Sequence, residues 1–306
     1  MSKAKKIHVG GQAVIEGVMM RSPEYVAVAV RRGDNKIVLK RDPFRSYTKR
    51  FKLLGLPFIR GGVILIESLV LGIRALNFSG EIAIEEEKTK RSKKSKGGGS
   101  KLLLGVTVVF SLILGIAFFF YLPLLLTELT GVKGGLLFNL IDGTIRLALF
   151  LLYLGLISLW KEIRRVFEYH GAEHKTIYAY ENGMPLTLEG VKPFKTHHPR
   201  CGTSFLLVVI LVALVVFVFL GRPQDVGDRL IRFLFIPIIG GISYEIIRLS
   251  ETRFGAWISK IVVAPGLWLQ RITTKEPDDS QLEVGLIALK SALGENVDPD
   301  VVIYNS

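Results

Sequence analysis

Cysteine, an apolar leader and acidic residues are all scarce in this sequence. A single cysteine in 306 residues, Cys201, excludes an intrachain disulfide, as is usual on the reducing side of a membrane. The first 20 residues contain no apolar core, so we expect no cleaved signal peptide. The 27 acidic residues are outnumbered by 40 Lys and Arg, which gives a net charge of +13. Such a chain is attracted to anionic surfaces.

The apolar residues are gathered into long runs. Hydrophobic residues make up 49% of the chain and 22% of its residues are charged, while the mean hydropathy is +0.40. This mixture predicts a polytopic α-helical membrane protein with a small cytoplasmic α+β portion. A run of about 20 apolar residues crosses the hydrocarbon core. We expect four transmembrane helices, at 102–126, 138–160, 205–220 and 230–249.

The distribution of Lys and Arg orients these spans. Basic residues are concentrated at 88–96 and 161–200, whereas the two other connections hold few. Because basic loops stay on the cytoplasmic side, we expect both termini in the cytoplasm. The same charge favours anionic membrane lipids as partners and, as an alternative, a contact with a ribosome or translocon. The basic run lacks aromatic residues for stacking on bases, so no specific DNA binding is expected.

The composition divides the chain into seven segments. Two β-branched runs separated by Gly33-Asp34-Asn35 predict a hairpin near the N-terminus. A second hairpin is predicted around Asn182-Gly183. The expected segments are a β-hairpin unit at 1–50, an interfacial or re-entrant helix at 51–80, a charged flexible linker at 81–101, spans at 102–160, a cytoplasmic His-rich loop at 161–202, spans at 203–250, and interfacial and C-terminal helices at 251–306.

The His-rich loop carries the clearest chemical motif. His170 and His174 are four residues apart and share one face of a helix, and Glu173 precedes the second histidine. This H-x-x-E-H pattern is typical of a zinc site in which the carboxylate acts as general base. The alternative is a helix end with solvated side chains. Gly171 favours a position at the C-terminus of a helix.

Further polar residues are candidates for the same site. His198 and Glu245 are candidates for the third metal ligand, although Glu245 is equally suited to an ion pair with an arginine. Cys201 is a possible extra ligand or a nucleophile near His198, and its alternative is a buried thiol.

Three charged residues complete the set of candidates. Arg200 is suited to an anionic head group, or simply follows the positive-inside rule. Glu67 lies in the interfacial segment and is expected to need a cationic or metal partner. Glu16 lies in the glycine-rich stretch 10–21, whose glycines suggest close approach to another element.

Several blocks of the sequence resemble the signature blocks of the bacterial YqhQ family. They cover essentially the whole chain. The family is an uncharacterised membrane-protein family labelled a predicted metal-dependent enzyme, so the resemblance implies a location in the bacterial cytoplasmic membrane. The blocks are 10–21, 61–76, 169–176, 198–205, 243–245 and 264–270.

These observations lead to one hypothesis and two alternatives. The first is a zinc-dependent hydrolase at the cytoplasmic face, with a peptide or a lipid head group as substrate. The second is a non-catalytic membrane factor that docks a ribosome, translocon or anionic lipid. The third is a transporter lined by Arg232, Glu245 and Arg248, which the lack of an evident inverted repeat disfavours.

Overall fold

A computed structural model describes residues 7–90, 101–199, 201–250, 256–297 and 301–304. Its sheet has the order β1-β2-β3-β4-β5, in which the first four strands are antiparallel and the last is parallel to its neighbour. The predicted N-terminal hairpin is present as the pair β3 and β4. The strands are β1 (Gly10–Val14), β2 (Gly17–Arg21), β3 (Tyr25–Arg31), β4 (Ile37–Pro43) and β5 (Val302–Ile303).

Helices cover both faces of this sheet. On one face Ala27 and Ala29 of β3 pack in a core with Leu289 of helix α12 (Asp279–Ala292) and with helix α6 (Lys161–Asn182). On the other face the alternate valines of β3 pack against Phe78 of helix α2 (Ile59–Lys90). Burial on both faces explains why β3 is an unbroken apolar run rather than an alternating one.

Four helical segments are long and apolar enough to cross a membrane. They are compatible with membrane insertion and match the four predicted runs. The first combines α3 (Lys101–Ile116), a π-helical turn (Ala117–Tyr121) and α4 (Leu122–Leu129), and the fourth combines α9 (Val226–Leu234) and α10 (Ile236–Ser250). The second and third are α5 (Gly135–Ile157) and α8 (Gly202–Leu220).

The remaining helices are peripheral or connect these layers. Helix α6 begins four residues after α5 ends. It therefore joins the second candidate span to the layer formed by the sheet, α6 and α12, which we call the polar layer. Helix α11 (Ala256–Thr273) contacts both α8 and α10. The other helices are α1 (Tyr47–Arg50), a 3-10 turn (Lys52–Gly55) and α7 (Leu188–Val191).

Two local predictions are wrong. The second hairpin is absent because α6 continues to Asn182 and Gly183 ends it in the left-handed conformation, with φ of 71°. An Asn-Gly pair suits this helix cap as well as it suits a turn. The first part of the linker predicted at 81–101 is helical, since α2 continues without a break to Lys90, and 91–100 lie outside the described residues.

Candidate metal centre

Helix α6 carries the whole motif in its interior, and the prediction of a helix C-terminus was therefore wrong. Gly171 is there for packing. A Cβ at this position would lie 2.0 Å from the carbonyl oxygen of Lys275, so only glycine lets the backbone after α11 approach the helix. The tertiary contact outweighs the modest helix propensity of glycine.

Three side chains converge at this point. The candidate ligand atoms of His170, His174 and Cys201 all lie within 4.8 Å of one another. His170 Nε2 is 3.2 Å from Cys201 Sγ, and the two imidazole rings are 4.4 Å apart between centroids. His174 and Cys201 are buried. Two imidazoles and a thiol at this spacing form a set that can hold a transition metal.

Backbone carbonyls orient both imidazoles. His170 Nδ1 lies 2.8 Å from the carbonyl oxygen of Thr273, and His174 Nδ1 lies 2.5 Å from that of Thr196. A carbonyl only accepts, so each Nδ1 donates and each Nε2 keeps its lone pair toward the cluster. Burial lowers the pKa of His174, which favours the neutral form that ligates metals. The Nε2 atom of His174 is buried and has no hydrogen-bond partner within the described part of the chain.

Cys201 stands at the N-cap of α8. Its sulfur accepts a hydrogen bond from the Thr203 N–H at 3.4 Å and lies 3.0 Å from the Thr203 hydroxyl. Burial would raise the pKa of the thiol, but the neighbouring His174 imidazole and these Thr203 contacts outweigh burial and lower it. A lowered pKa favours the thiolate, which is the form that binds metals.

Glu173 lies beside the cluster without belonging to it. Its side chain is 5% exposed, and its Oε2 has no hydrogen-bond partner among the described residues. Burial raises the pKa of Glu173 to about 8. Gly11 of β1 lies against it, since a Cβ there would be 3.0 Å from Glu173 Cγ. The expected close approach of the glycine-rich stretch is therefore to α6.

His198 is held near the cluster by other interactions. Its Nε2 is 3.1 Å from the Glu181 carboxylate, and its ring stacks edge-on against Tyr178. Gln270 of α11 fixes its backbone: the amide oxygen accepts from the His198 N–H at 2.7 Å, and the amide nitrogen donates to the His198 carbonyl at 2.8 Å and to Ser204 Oγ at 2.9 Å. His198 thus stands outside the group of three ligand atoms, and Cys201 occupies its predicted place.

Two other acids of the predicted set, Glu245 and Glu67, have partners outside the cluster. Glu245 accepts two hydrogen bonds from Arg60 of α2, at 2.7 and 2.5 Å, so the ion-pair alternative describes it and the ligand prediction does not. Glu67 accepts from Ser46 Oγ at 2.9 Å and from the Tyr47 N–H at 2.6 Å. A hydroxyl and a backbone amide thus provide the partners for which we expected a cation or metal.

Two candidates of the predicted set remain, Glu16 and Arg200. Glu16 pairs with Arg165 of α6 and accepts from the Tyr169 hydroxyl at 3.3 Å, so it anchors the β1–β2 turn to the helix. Arg200 lies outside the described residues.

The residues that the sequence did not predict are those that act through backbone atoms or amides. They are Thr196, Thr273 and Gln270, of which only Gln270 lies in one of the signature blocks.

Comparisons with known proteins identify a family and no activity. The family model described as "Protein of unknown function (DUF1385)" matches residues 56–295. The chain is 38% identical over 297 residues to the "Uncharacterized protein YqhQ" of Bacillus subtilis (strain 168), which covers 93% of this chain and 92% of that protein. No solved structure matches the chain significantly.

Proposed function

This chain belongs to the DUF1385 family, the family of YqhQ, and we propose that it is a metal-dependent hydrolase at the cytoplasmic face of the membrane. His170, His174 and Cys201 would hold the metal, and Glu173 would be the general base. The observation that carries the proposal is the convergence of three ligand atoms within 4.8 Å. Zinc is the best match to two imidazole nitrogens and one thiolate.

The arrangement of the residues supports catalysis rather than a purely structural site. His170, His174 and Cys201 would hold the metal, and a bound zinc would supply Lewis-acid activation of water. The Thr196 and Thr273 carbonyls hold the imidazoles in one tautomer. Glu173 adds a buried carboxyl oxygen without a partner in the described structure. With a pKa of about 8 this carboxyl is mostly protonated near neutral pH, and a bound cation nearby would lower the pKa so that the carboxylate could accept a proton. The substrate would be a peptide or a lipid head group.

A second candidate rests on the contact between Cys201 and His170. At 3.2 Å the imidazole Nε2 can accept the thiol proton, which would make Cys201 a nucleophile without a metal.

The transport alternative has less support. Arg232 hydrogen-bonds Asn139 and the Gly221 carbonyl, whereas Glu245 pairs with Arg60. The proposed pathway residues thus bind different elements.

Metal analysis of the detergent-purified full chain tests the proposal. We expect about one zinc per chain, retained through washing with a weak chelator. His170→Ala and Cys201→Ser should each lose it, because too few ligands remain to offset dehydration of the ion. His197→Ala is the matched control, since His197 is outside the three-ligand group. A wild-type chain without stoichiometric metal would remove the basis of the proposal and favour the thiol nucleophile.

Complementation of a deletion strain separates an enzyme from a docking factor. Glu173→Gln keeps the size of the side chain and removes its capacity as a base, so a hydrolase should keep its metal and lose its function. Neutralising Lys93, Lys94 and Lys96, which lie outside the described residues, should leave a hydrolase functional. The reverse order of effects would support docking of a ribosome, translocon or anionic lipid.

A further inference from the structure

An open cavity of about 760 Å³ lies between the sheet and two of the long helices. Residues of β1, β2, the segment 44–49, α2 and α10 line it. Helix α10 belongs to the fourth candidate span, whereas β1 belongs to the sheet. The cavity therefore joins the polar layer to the spans. None of the three clustered metal ligands is among its lining residues.

Four strongly basic side chains line this cavity, and none of its described lining residues is acidic. The four are Arg21, Lys49, Arg60 and Arg248. Two carboxylates lie behind the wall: Glu245 pairs with Arg60, and Glu67 is close enough to Arg21 to act on its charge. Lys49 and Arg248 are exposed and form no direct ion pair within the described part of the chain, although Arg248 also acts on the charge of Glu245, which pairs with Arg60. The balance is an excess of about two positive charges, taking each side chain in its usual state.

The neutral part of the lining also favours an anion. Ser46, Thr48 and Ser68 line the cavity together with the glycines at the start of β1, although the Ser46 hydroxyl already donates to Glu67. The Arg21 guanidinium lies 4.9 Å over the Phe44 ring, a contact that fixes the plane of its donors. Guanidinium and ammonium donors with hydroxyls around them match the oxygens of a phosphoryl group.

The apolar surroundings point to the source of that phosphoryl group. Helix α2, which lines one wall, carries an exposed stripe of large apolar residues on consecutive turns. Such a stripe beside a candidate span is where acyl chains would lie. The stripe comprises Ile66, Leu69, Val70, Ile73 and Leu76.

We propose that this cavity binds the phosphoryl head group of an anionic phospholipid, with its acyl chains along α2. The side chains of Lys49 and Arg248 provide the unpaired charge, and Arg21 provides a fixed pair of donors. The proposal does not depend on the metal centre, because none of the three metal ligands lines the cavity. It therefore predicts lipid binding that survives loss of the metal.

Native mass spectrometry of the detergent-purified full chain tests this site. Phosphatidylglycerol and phosphatidylcholine are titrated separately, and inorganic phosphate is then added as a competitor. We expect phosphatidylglycerol to be retained over phosphatidylcholine. The double variant Lys49→Gln/Arg248→Gln should weaken that binding by about tenfold or more, because two charge-assisted contacts are lost. Both side chains are exposed, so folding should be preserved.

The matched control is Lys36→Gln/Arg32→Gln, which removes the same charges from the β3–β4 turn outside the cavity. The control and His170→Ala should both retain phosphatidylglycerol like the wild type. Equal losses in the two double variants, or no preference for phosphatidylglycerol, would overturn the proposal. Inorganic phosphate that binds as tightly as the lipid would identify a soluble ligand and overturn the lipid assignment.

Discussion

The candidate metal centre and the basic cavity both adjoin strand β1 but contain opposite kinds of polar group. Around α6 two imidazoles and a thiol face one another in a buried space, with the Glu173 carboxyl beside them. Around α2 and α10 the cavity is lined by guanidinium, ammonium and hydroxyl groups. Acceptors gathered away from water attract a cation, whereas gathered donors attract an anion. The two regions are therefore chemically complementary and not duplicates.

Burial explains why each region uses its own residue types. His174 is 1% exposed, and a neutral imidazole tolerates that environment far better than a charged group does. Lys49 and Arg248 remain exposed and keep their hydration until a ligand replaces it. The block at 10–21 has little chemistry of its own, and its place between the two regions explains its glycines. Gly11 lines the cavity and also allows β1 to reach Glu173.

The largest expected effect concerns the side of the membrane on which the polar layer lies. In a Cys201→Ser background, a cysteine at Thr187 should resist a membrane-impermeant thiol reagent in intact cells, whereas one at Gln224 should react. Both positions are exposed; Thr187 precedes α8 in the chain and Gln224 follows it. Lysed cells provide the control, in which both should react. Labelling at Thr187 without lysis would place the metal centre outside the cytoplasm.

A change in α11 should damage the metal centre alone. Gln270→Ala removes the partners of the His198 backbone and of Ser204, which should lower the free energy of unfolding by about 2–4 kcal/mol. We expect metal affinity to fall and phosphatidylglycerol binding to persist. Thermal unfolding and metal titration measure the two effects. Gln224→Ala is the matched control on an exposed site, where the change should be within about 0.5 kcal/mol.

A change in β1 should affect both regions. In Gly11→Ala the new Cβ would lie 2.6 Å from the Met19 carbonyl oxygen and 3.0 Å from Glu173 Cγ, so the strand or α6 must shift. The expected cost is about 1–3 kcal/mol, with weaker binding of metal and of lipid. Gly10→Ala is the control, because a Cβ there meets nothing within 4 Å. Equal stability of the two variants would show that β1 does not couple the regions.

The sequence was sufficient for features that follow from periodicity and local composition. The four long apolar helices, the first hairpin and the shared face of His170 and His174 all depend on residues close together in the chain. Cys201 was only one of several candidate ligands, because its distance from α6 is decided by the packing of α8. The same limit applies to Glu245, whose arginine partner lies in α2.

Local signals also have more than one structural use. Asn182-Gly183 suits a hairpin turn and a helix cap equally, and the continuation of α6 decided between them. Strand β5 was missed because two residues are too short for a period-2 pattern, and only pairing with β4 defines it. The roles of Thr196 and Thr273 rest on their carbonyl groups, which every residue has.

The absorption spectrum of the cobalt-substituted protein tests the central claim most directly. Cobalt(II) takes the same ligands as zinc, and a bound thiolate adds an intense charge-transfer band in the near ultraviolet. The account predicts this band in the wild-type protein and in the His197→Ala control. It predicts loss of the band in Cys201→Ser and in His174→Ala. Cobalt bound stoichiometrically without the band, or a band that persists in Cys201→Ser, would contradict a centre built from His170, His174 and Cys201.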